Sequence, residues 1–265
     1  MLVAAICNQK GGVGKTTTTV NLARAAHLRS WPTLVADLDP QAATTKALLG
    51  IAPDPADETV ADALSARSTA TVADVVRETR WKGVDVLPSG GPVLADVAGE
   101  LVTMGAGREH RLSEGLRMLT EAPGLEYALV LIDCPPSLDL LTVNALTATH
   151  RAVIVTHAGL LSVDGISDLM TTVRAVQRYA NSALAVAGVI VNQLEERTRR
   201  GRHWLGELTE HAPAPVWSPT VRKATCIADA LEVGAGLDEW GTPEATVLAE
   251  IYDRYLTYLT QGATA

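Results

Sequence analysis

Residues 8–17 read Asn8-Gln9-Lys10-Gly11-Gly12-Val13-Gly14-Lys15-Thr16-Thr17, and no other stretch limits the fold of this chain as strongly. An apolar run, Leu2–Cys7, precedes it. From Thr16 to about Ser30, Val20, Leu22, Ala23 and Ala26 fall on one side of a helix. A glycine-rich loop between a strand and a helix is an arrangement that binds phosphate. Its glycines let successive backbone N–H groups curl round an anion without Cβ clashes, and the helix N-terminus adds partial positive charge. In such a loop Lys15 reaches the β- and γ-phosphates of a nucleotide, and the Thr16 hydroxyl is suited to ligate Mg²⁺. The bland alternative is a glycine-rich turn before an ordinary helix. The Gly-Lys-Thr order in a strand–loop–helix context argues against it.

The rest of the chain repeats the alternation of short apolar runs with longer helical patterns, which predicts an α/β fold with a mostly parallel sheet. Strands are expected at Thr33–Leu38, Val84–Leu87, Leu125–Ile132, Ala152–Thr156 and Ala185–Val191, with helices at Leu161–Tyr179 and Pro243–Leu259. The run ending at Ile132 is apolar throughout, the pattern of a strand buried on both faces. Residues 51–80 read as short helices among loops around Pro53 and Pro55. With 265 residues, 47% of them hydrophobic, and no linker or repeat, one domain spanning 1–265 is expected. A net charge of −8 excludes a chain that coats itself in nucleic acid through bulk charge but leaves room for a local basic patch. Phe is absent and aromatics make up 4%, so base-stacking platforms are not expected. Three distant cysteines, Cys7, Cys134 and Cys226, argue against a disulfide framework and for a reducing cytoplasm. No apolar run approaches the length of a membrane span, and no secretory leader is legible.

The loop also carries a second lysine, Lys10, at its start. The pattern Lys-Gly-Gly-x-Gly-Lys-Thr resembles the deviant Walker A ATPases, and most of all their ParA (Soj-like) branch, which segregates plasmids and chromosomes. The resemblance implies a doubly wound P-loop NTPase fold with helices on both faces. It also makes Lys10 a signature lysine that crosses a dimer interface to the partner subunit's phosphates, neutralising transition-state charge in trans.

Asp37-Leu38-Asp39-Pro40-Gln41 matches the family's Asp-x-Asp-Pro-Gln motif. Alternation places Asp37 and Asp39 on one face at a strand's carboxyl end, where ligands bind in open α/β sheets. Two carboxylates there can hold Mg²⁺ through water and orient an attacking water. The resemblance assigns the water to Asp39 and places Asp37 nearer the metal. Val130-Leu131-Ile132-Asp133 is an apolar strand ending in an acid, a Walker B pattern in which Asp133 joins the metal shell. A strand-end Asp can equally cap the next helix. Pro135-Pro136, and the stretch from Ser137-Leu138 to Asn144-Ala145-Leu146, also match the family. Asn192, at the end of a late strand, stands where the family places an adenine-contacting polar residue, with Pro219-Thr220-Val221 as a wall against the ring. A strand-end Asn that turns the chain is the other reading.

Glu195-Glu196-Arg197-Thr198-Arg199-Arg200-Gly201-Arg202-His203 reads as a loop with four arginines in an acidic chain. Phosphate-backbone contact with DNA needs such charge and no base readout. A solvated loop balanced by its own glutamates is the alternative. Arg222 and Lys223 extend the patch. The six histidines show no metal spacing, and no Cys-x-x-Cys pair speaks for an iron–sulfur carrier. The phosphate loop starts near residue 10, so an N-terminal helix-turn-helix domain is not expected. The segment 251–265 lacks a basic amphipathic membrane helix.

Taken together, the resemblance implies ATP and Mg²⁺ as cofactors, a homodimer formed on ATP, nonspecific double-stranded DNA and a ParB-type centromere-binding protein as partners, and a nucleoid-associated location in the cytoplasm. A relative that positions another cargo, and a dethiobiotin-synthetase-like ligase on the same scaffold, are the rivals. Lys10 and the Asp37–Gln41 motif count against the ligase.

Overall fold

The computed structural model describes residues 1–54, 56–195 and 197–261, so Pro55, Glu196 and residues 262–265 lie outside it. In chain order it contains β1 (Leu2–Cys7), α1 (Lys15–Leu28), β2 (Thr33–Asp37), α2 (Ala43–Leu49), α3 (Val60–Leu64), β3 (Arg77–Glu78) and β4 (Val84–Leu87). There follow α4 (Pro92–Thr103), α5 (Arg111–Leu119), β5 (Leu129–Asp133), α6 (Leu140–Ala148), β6 (Arg151–His157), α7 (Leu160–Tyr179) and β7 (Ala185–Asn192). The last elements are α8 (Arg199–His211), α9 (Thr225–Val233) and α10 (Pro243–Thr260).

The strands form one sheet in the order β3-β4-β2-β5-β1-β6-β7, parallel except for the two-residue edge strand β3. Alternation along the strands decides which side chains enter which core. Val130 and Ile132 of β5 join α3 to α8 on one face, whereas Leu129 and Leu131 join α1, α2, α9 and α10 on the other. All five β5 residues are buried, as an uninterrupted apolar strand requires. β1 lies between β5 and β6; the chain runs from β1 to β2 on one side and from β6 to β7 on the other, so the connections of these neighbours diverge. The carboxyl end of β1 is therefore a topological switch point, the place where open α/β sheets bind their ligands. Among the described residues, no helix is long and apolar enough to cross a membrane.

Several boundaries differ from expectation. β5 begins at Leu129, not Leu125, because the preceding residues make other contacts: the Tyr127 hydroxyl donates to Asp85 (2.6 Å), and the Ala128 N–H donates to the Pro32 carbonyl (2.8 Å). Among the described residues, 51–80 contain one short helix, α3, begun by a Thr59–Asp62 capping box. The arginine-rich segment is not a loop. Thr198 caps α8 by accepting from the Gly201 N–H (2.9 Å), and Leu205 and Leu208 turn the helix into the core, so Arg199, Arg200 and Arg202 occupy its first turn.

Candidate nucleotide-binding site

The glycine loop joins β1 to α1 at the switch point. Gly12 (φ 72°) and Gly14 (φ 95°) adopt left-handed backbone that a Cβ would strain. Gly14 is also hemmed in. A Cβ built on it overlaps the Asn192 amide nitrogen and comes within 3.2 Å of Asn192 Cγ. No side chain caps α1 and no acid lies in its first turn, so its N-terminal N–H groups and positive dipole end face the loop.

The two lysines have opposite surroundings. Lys15 is 6% exposed and its Nζ donates to the Lys10 carbonyl (3.3 Å), so its charge is held over the loop of its own subunit. The Lys10 side chain is exposed. Its backbone is nevertheless fixed, because buried Asn8 accepts from the Lys10 N–H (3.0 Å) and donates to the Val155 carbonyl of β6 (2.7 Å). Asn8 is an anchoring residue that the sequence reading passed over. An asparagine beginning a glycine loop was its available signal.

Register brings the two strand-end acids side by side, Asp37 opposite Asp133 across β2 and β5. Both are fully buried, and burial raises both carboxyls well above the ordinary carboxylate range; the neighbouring Asp133 pushes Asp37 further. Their partners separate their roles. Asp133 Oδ2 accepts from the hydroxyls of Thr16 and Thr44, each at 2.6 Å, whereas the buried Oδ1 has no hydrogen-bond partner. Asp37 has both oxygens engaged: Oδ2 accepts from the Thr45 N–H and hydroxyl (2.8 and 2.7 Å) and Oδ1 from the Asp39 N–H (3.1 Å). The acid touching Thr16 is thus Asp133, and Asp37 instead braces the turn that carries Asp39. Thr44 and Thr45 were not legible as site residues, since nothing in the sequence marks a threonine as facing an acid, whether 89 positions away, as for Thr44, or eight, as for Thr45.

Asp39 is half-buried. It accepts from the Gln41 N–H (2.9 Å), and its carbonyl accepts from the Ser89 hydroxyl (2.7 Å), which fixes the turn from the β4 side. Pro136 packs 3.9 Å from the position of a Cβ on Gly11, so the Pro-Pro segment after β5 borders the loop. The thiols of Cys7 and Cys134 are buried among these groups, and burial pushes Cys7 up to about 12 and Cys134 well above its ordinary value.

Asn192 lies behind the loop at 3% exposure. Its amide nitrogen donates to the Val13 carbonyl (2.9 Å) and its oxygen accepts from the Gln193 N–H (2.9 Å). In this geometry it is a strut under the loop, with Gln193 turning the chain at φ 52°. Pro219 is half-buried and its carbonyl accepts from the Tyr255 hydroxyl. The segment reaches Asn192 through the Val221 N–H, which donates to the Val191 carbonyl (3.0 Å).

Arg197, Arg199, Arg200, Arg202, Arg222 and Lys223 are all exposed. Arg200 and Lys223 line one polar cavity of about 210 Å³ with His157 and Glu195, so two segments distant in sequence form a single basic surface beside the end of β7. Arg222 pairs with Glu244 at 3.0 Å.

Comparison with known proteins agrees with this geometry. A family model described as "AAA domain" matches residues 1–186. The chain is 37% identical over 228 residues to the sporulation initiation inhibitor protein Soj of Bacillus subtilis, a match covering 86% of this chain and 87% of that protein. It is 33% identical over 234 residues to the chromosome partitioning protein ParA of Caulobacter vibrioides, covering 88% and 84%. The crystal structure of cobyrinic acid a,c-diamide synthase from Mycobacterium smegmatis, with bound ATP analog and magnesium, has a TM-score of 0.82 at 29% identity and covers 99% of this chain and 97% of that one.

Proposed function

Because this chain belongs to the ParA/Soj family of P-loop partitioning ATPases, we propose that it is an ATP-dependent dimerisation switch that binds DNA without sequence preference and hydrolyses ATP to leave it. The observation that carries the reading is the divergence of the two loop lysines. Lys15 is committed to its own subunit's phosphate loop, and Lys10 is presented to solvent on an anchored backbone, free to serve a second copy.

The residues divide the work. Backbone N–H groups from Gly11 to Thr17 cradle the phosphates, and Lys15 neutralises the β- and γ-oxygens. The Thr16 hydroxyl and Asp133 would hold Mg²⁺. The orphaned buried Oδ1 of Asp133, whose other oxygen already contacts Thr16, fits that role. When bound, the ion would neutralise negative charge building on the transferred phosphoryl group. Asp37 acts one step back, holding the Asp39 turn. Asp39 orients the attacking water, and Lys10 of each subunit meets the γ-phosphate of the other. Asn192 shapes the loop from beneath, and Pro219 borders the base.

The ATP dimer brings two copies of the Arg197–Arg202 and Arg222–Lys223 surface together and so doubles the charge offered to DNA phosphates. A ParB-type centromere-binding protein stimulates hydrolysis, and the chain works on the nucleoid in the cytoplasm. The test is light scattering and binding of an arbitrary duplex with ATP, with ADP and without nucleotide. Dimers and DNA binding are expected with ATP alone, and DNA binding should fall when Arg199, Arg200 and Arg202 are replaced by Ala. A chain that stays monomeric with ATP overturns the switch; one that dimerises and binds no DNA overturns the segregation reading.

A further inference from the structure

We infer that Glu244 is an intramolecular competitor for DNA: its carboxylate occupies Arg222 in the nucleic-acid-free chain and must be displaced before that arginine can take a phosphate. The inference rests on the DNA-binding reading above and adds to it a residue that opposes binding.

Arg222 Nη2 meets Glu244 Oε1 at 3.0 Å, with the two side chains 55% and 44% exposed. The pair is therefore reachable by a phosphate from solvent and is not locked in the core. Each partner is held in place by its own element. The Leu194 N–H donates to the Val221 carbonyl (3.0 Å), and Leu194 bridges Arg222, tethering the arginine's backbone to the end of β7. Glu244 stands in the first turn of α10, whose cap Thr242 accepts from the Ala245 N–H (3.3 Å). A carboxylate in that position also faces the positive end of the helix dipole, which holds it at the head of α10 beside the arginine. The next residue, Lys223, shares the 210 Å³ cavity with Arg200, so the occupied arginine borders the basic surface and is not remote from it. A guanidinium binds carboxylate and phosphate through the same kind of donor, so the carboxylate on Nη2 competes with a phosphate for that edge of Arg222.

An exposed pair of this kind contributes about 0.2–1 kcal/mol, which sets a penalty of roughly 1.4- to 5-fold per subunit. In a dimer that engages both subunits, the penalties multiply to roughly 2- to 25-fold.

The experiment titrates a fluorescently labelled arbitrary duplex with the full chain in Mg²⁺–ATP or Mg²⁺–ADP, at several salt concentrations. The parent, Glu244→Gln, Arg222→Ala, Arg222→Lys and the two double variants are compared. Glu244→Gln is expected to bind tighter by that factor in ATP, with the slope of log affinity against log salt steeper by about 0.9 for each arginine released. The gain should vanish in the Arg222→Ala background and persist in the Arg222→Lys background, which keeps the charge. Equal binding by Glu244→Gln and a DNA-binding parent overturns the inference, as does a gain that survives in Arg222→Ala, which marks bulk charge alone. Absence of DNA binding in every variant and nucleotide state refutes the DNA reading itself, and the competitor role falls with it.

Discussion

Gly14→Ala tests the geometry of the phosphate loop at its tightest point. The native backbone at Gly14 has φ 95°, and forcing a residue with a Cβ to keep it costs about 1–3 kcal/mol. The new methyl also overlaps the Asn192 amide, which is 3% exposed and has no free space to retreat into. Displacing it breaks the bonds from Asn192 to the Val13 carbonyl and from the Gln193 N–H to Asn192, each contributing about 1 kcal/mol. Together these terms come to roughly 3–5 kcal/mol. The loop is flanked by β1 and α1, which keep their own core contacts, so the cost is met by local opening of the loop and not by unfolding. The bound conformation then carries the penalty, and at 1.4 kcal/mol per decade an ATP analogue should bind roughly a hundred- to several thousandfold more weakly. Calorimetric titration with a non-hydrolysable analogue at fixed Mg²⁺ reads this, with thermal unfolding as a check that the chain is folded. A second variant isolates the overlap. Asn192→Ala alone should weaken binding roughly thirtyfold, the equivalent of its two bonds, yet cost nothing further on a Gly14→Ala background where those bonds are already lost. If Gly14→Ala binds within about threefold of the parent, or if the two substitutions simply add, the contact between loop and strut does not hold the phosphate site.

Lys15→Ala should abolish binding of the same analogue, since no other buried cation serves the loop among the described residues; retained affinity would move the site elsewhere. Asp39→Ala should bind Mg²⁺–ATP and accumulate as a dimer by light scattering while phosphate release falls about 10²- to 10⁴-fold, and near-parental turnover would remove Asp39 from the chemistry. Lys10→Ala should bind nucleotide as a monomer but fail to dimerise; an ATP dimer with normal turnover would show that the exposed lysine acts on nothing in trans. Asp133→Asn should change stability in a pH-dependent way. Burial raises the folded carboxyls of Asp37 and Asp133 to about 7 and about 6, above their unfolded values, so their stabilising contribution is complete at low pH and is lost as pH rises through that range. Without nucleotide, the melting temperature of Asp133→Asn relative to the parent should therefore be more favourable at pH 8 than at pH 5, and a difference that is flat or inverted would mean that Asp133 is not desolvated as the fold places it.

What the sequence determined by itself is what short range encodes. The phosphate loop is ten consecutive residues whose glycines, lysines and threonines shape the backbone directly, so Gly12, Gly14, Lys15 and Thr16 could be placed before any fold was known. Val84–Leu87 and the fully buried β5 were equally legible, because alternation and uninterrupted apolarity are properties of adjacent residues. Helix α8 was missed because four arginines masked the spacing of Leu205 and Leu208 that turns it into the core. The separation of Asp37 from Asp133 lay beyond sequence altogether. Each ends an apolar strand and looks alike locally, but the fold brings Asp133 two hydroxyls from 117 and 89 residues away and leaves one oxygen bare, while it surrounds Asp37 with donors from its own turn. Asn192 meets the phosphate loop for the same reason, through a bond spanning 179 residues. A side chain's role in such a site is set by which donors and acceptors meet it, and strand order and register, settled by packing both faces of one sheet, bring those partners together.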